Sequence, residues 1–150
     1  MGEEKRVFDR PELKFIHLCE RFWYQSETGV HDILGCFDRM GVVLGPEVDR
    51  LTYRFNSRNF FIVLGISGIK LPEACKVEIT HINSGVKEFE SSQFISKPDP
   101  TTTALIGFVL RGVVFTGMGH RSVDVMMGRQ LIGGTKFKVA AVESVASGDV

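Results

Sequence analysis

A chain of 150 residues with 43% hydrophobic residues, 24% charged residues and a formal net charge of zero is long enough to bury a sizeable core, and it is not a disordered polyelectrolyte. Its three cysteines, Cys19, Cys36 and Cys75, are odd in number and widely spaced, with no CxxC pair. This excludes a densely stapled secreted scaffold and points to reduced thiols in an intracellular protein.

Residues 1–8 read as a loose tail. Asp9 then has the character of an N-cap, with Pro11 in the first turn and Glu12 three residues on. Phe15, Leu18, Cys19 and Phe22 follow at helical spacing, and Ile16 and Trp23 widen the stripe, so the pattern predicts a helix over about 11–24. Beyond a turn at Ser26–Gly29, the residues Val30, Ile33, Leu34, Phe37 and Met40 keep the same period. They predict a second helix that contains Gly35, at a cost of about 1 kcal/mol relative to Ala, and ends on Gly41 as C-cap.

From Asp49 the period changes to two. Leu51, Tyr53 and Phe55 alternate with Arg50, Thr52 and Arg54, and a turn over 56–59 leads into the apolar run Phe60 to Ile66. Cys75, Val77 and Ile79 alternate with polar residues before the turn Asn83-Ser84-Gly85, and further strands are expected over 86–89, 104–110, 113–118, 123–127 and 137–142. Lys97-Pro98-Asp99-Pro100 reads as a stiff loop, because two prolines do not both fit a central strand. The expected fold is therefore α+β: one or two N-terminal helices on a seven- to eight-stranded, mainly antiparallel β-sandwich or partly open barrel. One domain spans 1–150, with a tail over 1–8, a helical part over 9–41, a β part over 42–143 and a second tail over 144–150.

The charged N-terminus lacks the apolar run of a signal peptide, and Arg6 stands where an N-myristoylation motif asks for Ser or Thr. Apolar stretches such as Ala104 to Leu110 are a fraction of the roughly 20 residues that a membrane helix needs. No transmembrane segment is expected, and the location is expected to be cytoplasmic or nuclear.

Signatures of catalysis are lacking. His17, His31, His81 and His120 show no metal-ligand spacing with the cysteines, and on a helix His17 and Cys19 would point about 200° apart. His81 shares a strand face with Cys75, Val77 and Ile79, which suits a hydrogen-bonded core or strand-end histidine. Gly65-Ile66-Ser67-Gly68 only resembles a nucleophile elbow, and Cys19 reads first as a core residue. Gly133-Gly134-Thr135-Lys136 lacks the spacing of a phosphate loop and reads as a β-turn, while Gly117-Met118-Gly119-His120 has hairpin-turn character. Neither a metal nor a cofactor is expected.

Charge segregation stands above this background. Residues 50–72 carry Arg50, Arg54, Arg58 and Lys70 and no acid. Residues 100–142 carry Arg111, Arg121, Arg129, Lys136 and Lys138 against Asp124 alone, so each segment has a net charge of +4. The rest of the chain is acidic. Arg50, Arg54, Arg58, Arg111, Arg121, Arg129, Lys136 and Lys138 are thus the candidate contacts for an anionic partner, above all nucleic acid. The competing reading is a solvated outer face on which basic side chains discourage edge pairing.

The expected function is that of a non-enzymatic binding or assembly protein, in the class to which viral accessory and structural proteins of the movement, matrix and capsid-like kinds belong. Self-association is compatible with it. The alternative is a small hydrolase or transferase with a site assembled from scattered residues.

Overall fold

Phe60–Ser67 is apolar at nearly every position because the strand it forms lies inside a sheet, covered on both faces. The structure is a computed structural model that describes residues 10–25 and 27–142. It contains eleven strands: β1 (Glu12–Tyr24), β2 (His31–Cys36), β3 (Arg39–Val43), β4 (Arg54–Asn56), β5 (Phe60–Ser67), β6 (Glu73–His81), β7 (Lys87–Ile95), β8 (Thr103–Leu110), β9 (Val114–Thr116), β10 (Gly119–Met127) and β11 (Gln130–Val142). They form a four-stranded sheet in the order β2-β1-β5-β8, a five-stranded sheet in the order β3-β11-β10-β6-β7, and a two-stranded ribbon of β4 and β9.

The two larger sheets share one core. Alternate residues of β5, Phe60, Ile62, Leu64 and Ile66, meet Cys75, Val77 and Ile79 of β6, Val123 and Val125 of β10, and Phe137 and Val139 of β11. This is the arrangement of a β-sandwich, and each large buried side chain contributes roughly 1.5–3 kcal/mol. The ribbon is tied to the same core: Phe55 lies opposite Phe115 in register, and Phe115 meets Phe137 edge-on with ring centroids 6.0 Å apart. All strand pairs are antiparallel except β3 with β11. The parallel pair arises where the chain leaves β2 at the edge of one sheet and enters the other at β3 after only Phe37 and Asp38.

The expected helical part is overturned: the fold is all-β, with no helix among the described residues. Residues assigned to helices form β1, β2 and β3. A register shift between Leu13 and Phe15 displaces the alternation of β1 once, and a strand displaced in this way mimics helical spacing. Phe15 and Phe22 do not lie on a helix face. Their rings cover Gly65 and Gly107, where a Cβ would collide with them. In the second segment, Gly35 has a φ of 69°, a left-handed backbone that no helix interior holds. The proposed N-cap Asp9 and both tails, 1–8 and 144–150, lie outside the described residues.

Later strands follow the sequence pattern closely, with three corrections. Residues 117–120 do not form a hairpin turn, because β9 pairs with β4, and Gly119 and His120 open β10. Leu51 and Thr52 lie in a turn, so β4 begins only at Arg54. Gly133 and Gly134 are inside β11 and do not form a β-turn; the chain reverses at Gly128–Arg129. Gly134 is required there because its Cβ would strike the carbonyl oxygen of Val123 on the neighbouring strand.

Candidate anion-binding groove

The edge strand β3, the segment Phe55–Phe60 and residues Glu20 and Arg21 of β1 enclose an open groove of about 680 Å³. Its floor is aromatic. Phe37 and Phe60 meet edge-on with ring centroids 5.5 Å apart, and Phe55 packs beside Phe115. Its polar lining consists of Arg21, Arg39, Arg58, Asn56, Ser57, Asn59 and one carboxylate, Glu20.

Local backbone constraints fix the position of Arg58. Ser57 is buried, its N–H donates to the carbonyl oxygen of Val113, and its hydroxyl accepts from the Val113 N–H at 3.2 Å. The chain is thereby held on both sides of one residue pair, and the exposed Arg58 follows immediately at the rim. Glu20 lies against Gly35 of β2, where a Cβ would sit 3.1 Å from its Cβ and Cγ. Among the described residues, neither Glu20 nor any other acid forms an ion pair with Arg21, Arg39 or Arg58.

Arg39 links the groove to β11. It stands in parallel register with Lys138, which lies opposite His120, while Lys136 lies opposite Ser122 two residues away. Both lysines are exposed. β3 pairs only with Lys138–Val142 of β11. Just before that pairing begins, a second cavity of about 390 Å³ opens, lined by Lys136, Asp38, His17, Cys36 and apolar residues of β1.

The candidate basic residues therefore separate into groups. Arg58 lines the groove, Lys136 lines the second cavity, and Lys138 stands in register with Arg39. Arg50 and Arg54 are exposed on the turn and ribbon strand beside Thr116, Arg111 is on the loop after β8, and Arg129 is at the β10–β11 turn. None of those four lines the groove. Arg121 leaves the surface set altogether, because it is fully buried and ion-paired with Glu88. Arg21 and Arg39, absent from the sequence-based set, line the groove, and only their reading as strand residues would have singled them out.

The outer face of the five-stranded sheet is basic only on its β3–β11 side. Across β6 and β7, Lys76 and Lys87 each pair with both Glu78 and Glu90 at 3.0–3.4 Å. Hydrogen bonds from these lysines hold the carboxyls of Glu78 and Glu90 below their usual range, so that charge is already answered within the chain.

No protein-family model matches the chain, and no curated protein matches it in sequence.

Elsewhere, His81 is the strand-end histidine of β6. The Ser84 N–H donates to its Nδ1 at 3.2 Å, which leaves Nε2 to donate to the carbonyl oxygen of Met118 at 3.0 Å. Among the described residues no group of three His, Cys, Asp or Glu is placed to hold a metal ion, and no helix is long and apolar enough to cross a membrane.

Proposed function

We propose that this protein is a non-enzymatic binding module that holds an extended anionic partner, most simply a single nucleic-acid strand, along the groove and onto β11. The observation that carries this reading is the run of Arg21, Arg58, Arg39 and Lys138. Three arginines that form no ion pair among the described residues line one groove, and the register between β3 and β11 sets a fourth cation beside them. Guanidinium forks suit phosphate oxygens, and the aromatic floor offers apolar surface to a base. Replacing Arg21, Arg39 and Arg58 together by Ala should weaken binding of a labelled single-stranded oligonucleotide at least about tenfold. Replacing Arg111 and Arg129 should leave it within about twofold. Equal losses from the two sets would contradict the groove as the site.

A second reading has its own support. β3 is an edge strand with β11 on one side only, and all five of its residues line the groove. An extended acidic peptide could add to that edge by main-chain hydrogen bonds while its carboxylates meet the arginines. Proline substitution at Val43, whose N–H faces away from β11 in this register, would weaken peptide binding through the edge and leave an oligonucleotide held by side chains largely unaffected.

A further inference from the structure

We infer that Cys19 and Cys36 are a thiol pair built to close into a reversible cross-strand disulfide at the root of the β1–β2 hairpin. The two residues are direct partners in the antiparallel register of β1 and β2. The Phe37 N–H donates to the carbonyl oxygen of Leu18 at 2.9 Å, so the neighbouring Leu18–Phe37 position carries the hydrogen bond. Cys19 and Cys36 then occupy a non-hydrogen-bonded position, where opposed Cα atoms are about 4.5 Å apart and side chains are closest. That separation falls within the roughly 4.4–6.8 Å that a disulfide spans.

Their place in the fold gives the bond something to control. Cys19 is the last residue of β1 to pair with β5, opposite Phe61, and Cys36 is the last residue of β2. Beyond them, Arg21 to Tyr24 pair only with His31 to Leu34, so the hairpin continues as a two-stranded arm with Trp23, Tyr24, Val30 and Leu34 exposed. Such a ribbon is marginal in water, and Phe22, packed edge-on against Phe61 and over Gly107, ties its base to the sheet. A covalent bond at its root would fix its register and slow its opening. The third thiol, Cys75, is buried in β6 of the other sheet, opposite Gln93 and Met127.

Accessibility sets the order of the chemistry. Cys36 is exposed and Cys19 is fully buried. With a low-molecular-weight disulfide such as oxidised glutathione, the Cys36 thiolate attacks one sulfur, the S–S bond breaks, and one glutathione leaves as thiolate and takes up a proton. Cys19 then loses its proton and attacks the Cys36 sulfur of the mixed disulfide, releasing the second glutathione. The protein loses two electrons and two protons, and oxidised glutathione becomes two thiols. Burial, with Cys36 adding to it, pushes the Cys19 thiol up to about 11, while the Arg21 N–H draws it down; the second step therefore quickens as pH rises.

The test is to incubate the full chain with oxidised glutathione, quench it with an alkylating agent, and read intact mass, peptide linkage and amide exchange. The expected product is lighter than the reduced chain by two hydrogens, links the Cys19 and Cys36 peptides, leaves Cys75 free to alkylate, and reverts with dithiothreitol. Amide exchange over residues 21–34 should slow at least about tenfold. The variant Cys36→Ser, at an exposed position, should show neither the lighter product nor the slowed exchange. A glutathione adduct that persists on Cys36 without linkage to Cys19, or a dimer joined through Cys36, would overturn the proposal. This outcome is independent of the groove and its partner.

Discussion

Arg121 of β10 and Glu88 of β7 form a bidentate ion pair inside the protein. Nε meets one carboxylate oxygen at 2.8 Å, and a terminal guanidinium nitrogen meets the other at 3.1 Å. Two further N–H groups donate to the carbonyl oxygens of Thr116 at 2.8 Å and Gly119 at 3.1 Å, and the guanidinium lies over the Phe115 ring at 5.4 Å. Glu88 also accepts from the Thr116 N–H at 2.7 Å. One cation thus ties the ribbon strand β9 to β7 and to the start of β10. Glu88→Ala would leave a buried guanidinium without its counter-charge, and urea denaturation should show a loss of about 3–5 kcal/mol. A loss below about 1 kcal/mol would mean that water or another acid replaces Glu88.

The rings of Phe15 and Phe22 fill the space that two glycines leave on the four-stranded sheet. A Cβ at Gly107 would lie 2.9 Å from the Phe22 ring. Gly107→Ala should therefore destabilise the protein by about 1–3 kcal/mol, and Phe22→Leu should recover part of that loss. Additive losses in the double variant would show that the ring and the glycine do not share this space.

Alkaline pH should destabilise the fold through its buried thiols. Burial pushes Cys75 up to about 12 and Cys19 up to about 11, from an ordinary 9.0. Above about pH 9 the unfolded chain releases these protons and the folded chain keeps them, so the unfolded state becomes relatively more favourable. The stability they contribute is complete below pH 9 and is lost as pH rises through 11 and 12. Thermal melts across this range should show Tm falling more steeply in the parent than in Cys75→Ala, each compared with its own value at pH 8.

Lys136 and Lys138 extend the proposed site, and each should add its own increment. Lys138→Glu should weaken oligonucleotide binding several-fold and reduce the salt slope, because it also places a carboxylate in register with Arg39. Lys76→Glu, in the charge network on the far side of the same sheet, should change neither quantity. Matching effects at the two positions would indicate diffuse attraction to the whole face.

The sequence made the strands after residue 59 legible because each alternates in period two or runs apolar through a sheet interior, and turns such as Asn83-Ser84-Gly85 punctuate them. It misled over 11–41. There the bulge after Leu13 and the rings placed over Gly65 and Gly107 yield helical spacing in a strand, and only partners distant in sequence reveal it. The same error hid half of the site. Arg21 and Arg39 lie in an acid-rich third of the chain, so the net charge of that segment concealed two cations that the fold brings to Arg58. Arg121 failed in the opposite direction: its charge counted toward a basic segment, while Glu88, from an acidic one, neutralises it in the interior.

The most direct test of the groove as an anion site is a titration of the parent protein with a labelled single-stranded oligonucleotide over a range of salt concentrations. Contacts from Arg21, Arg39, Arg58, Lys136 and Lys138 predict that log K falls linearly with log salt, with a slope of about −2 for three phosphates engaged and about −3.5 for five. Absence of binding at low salt, or an affinity that does not change with salt, would contradict the account.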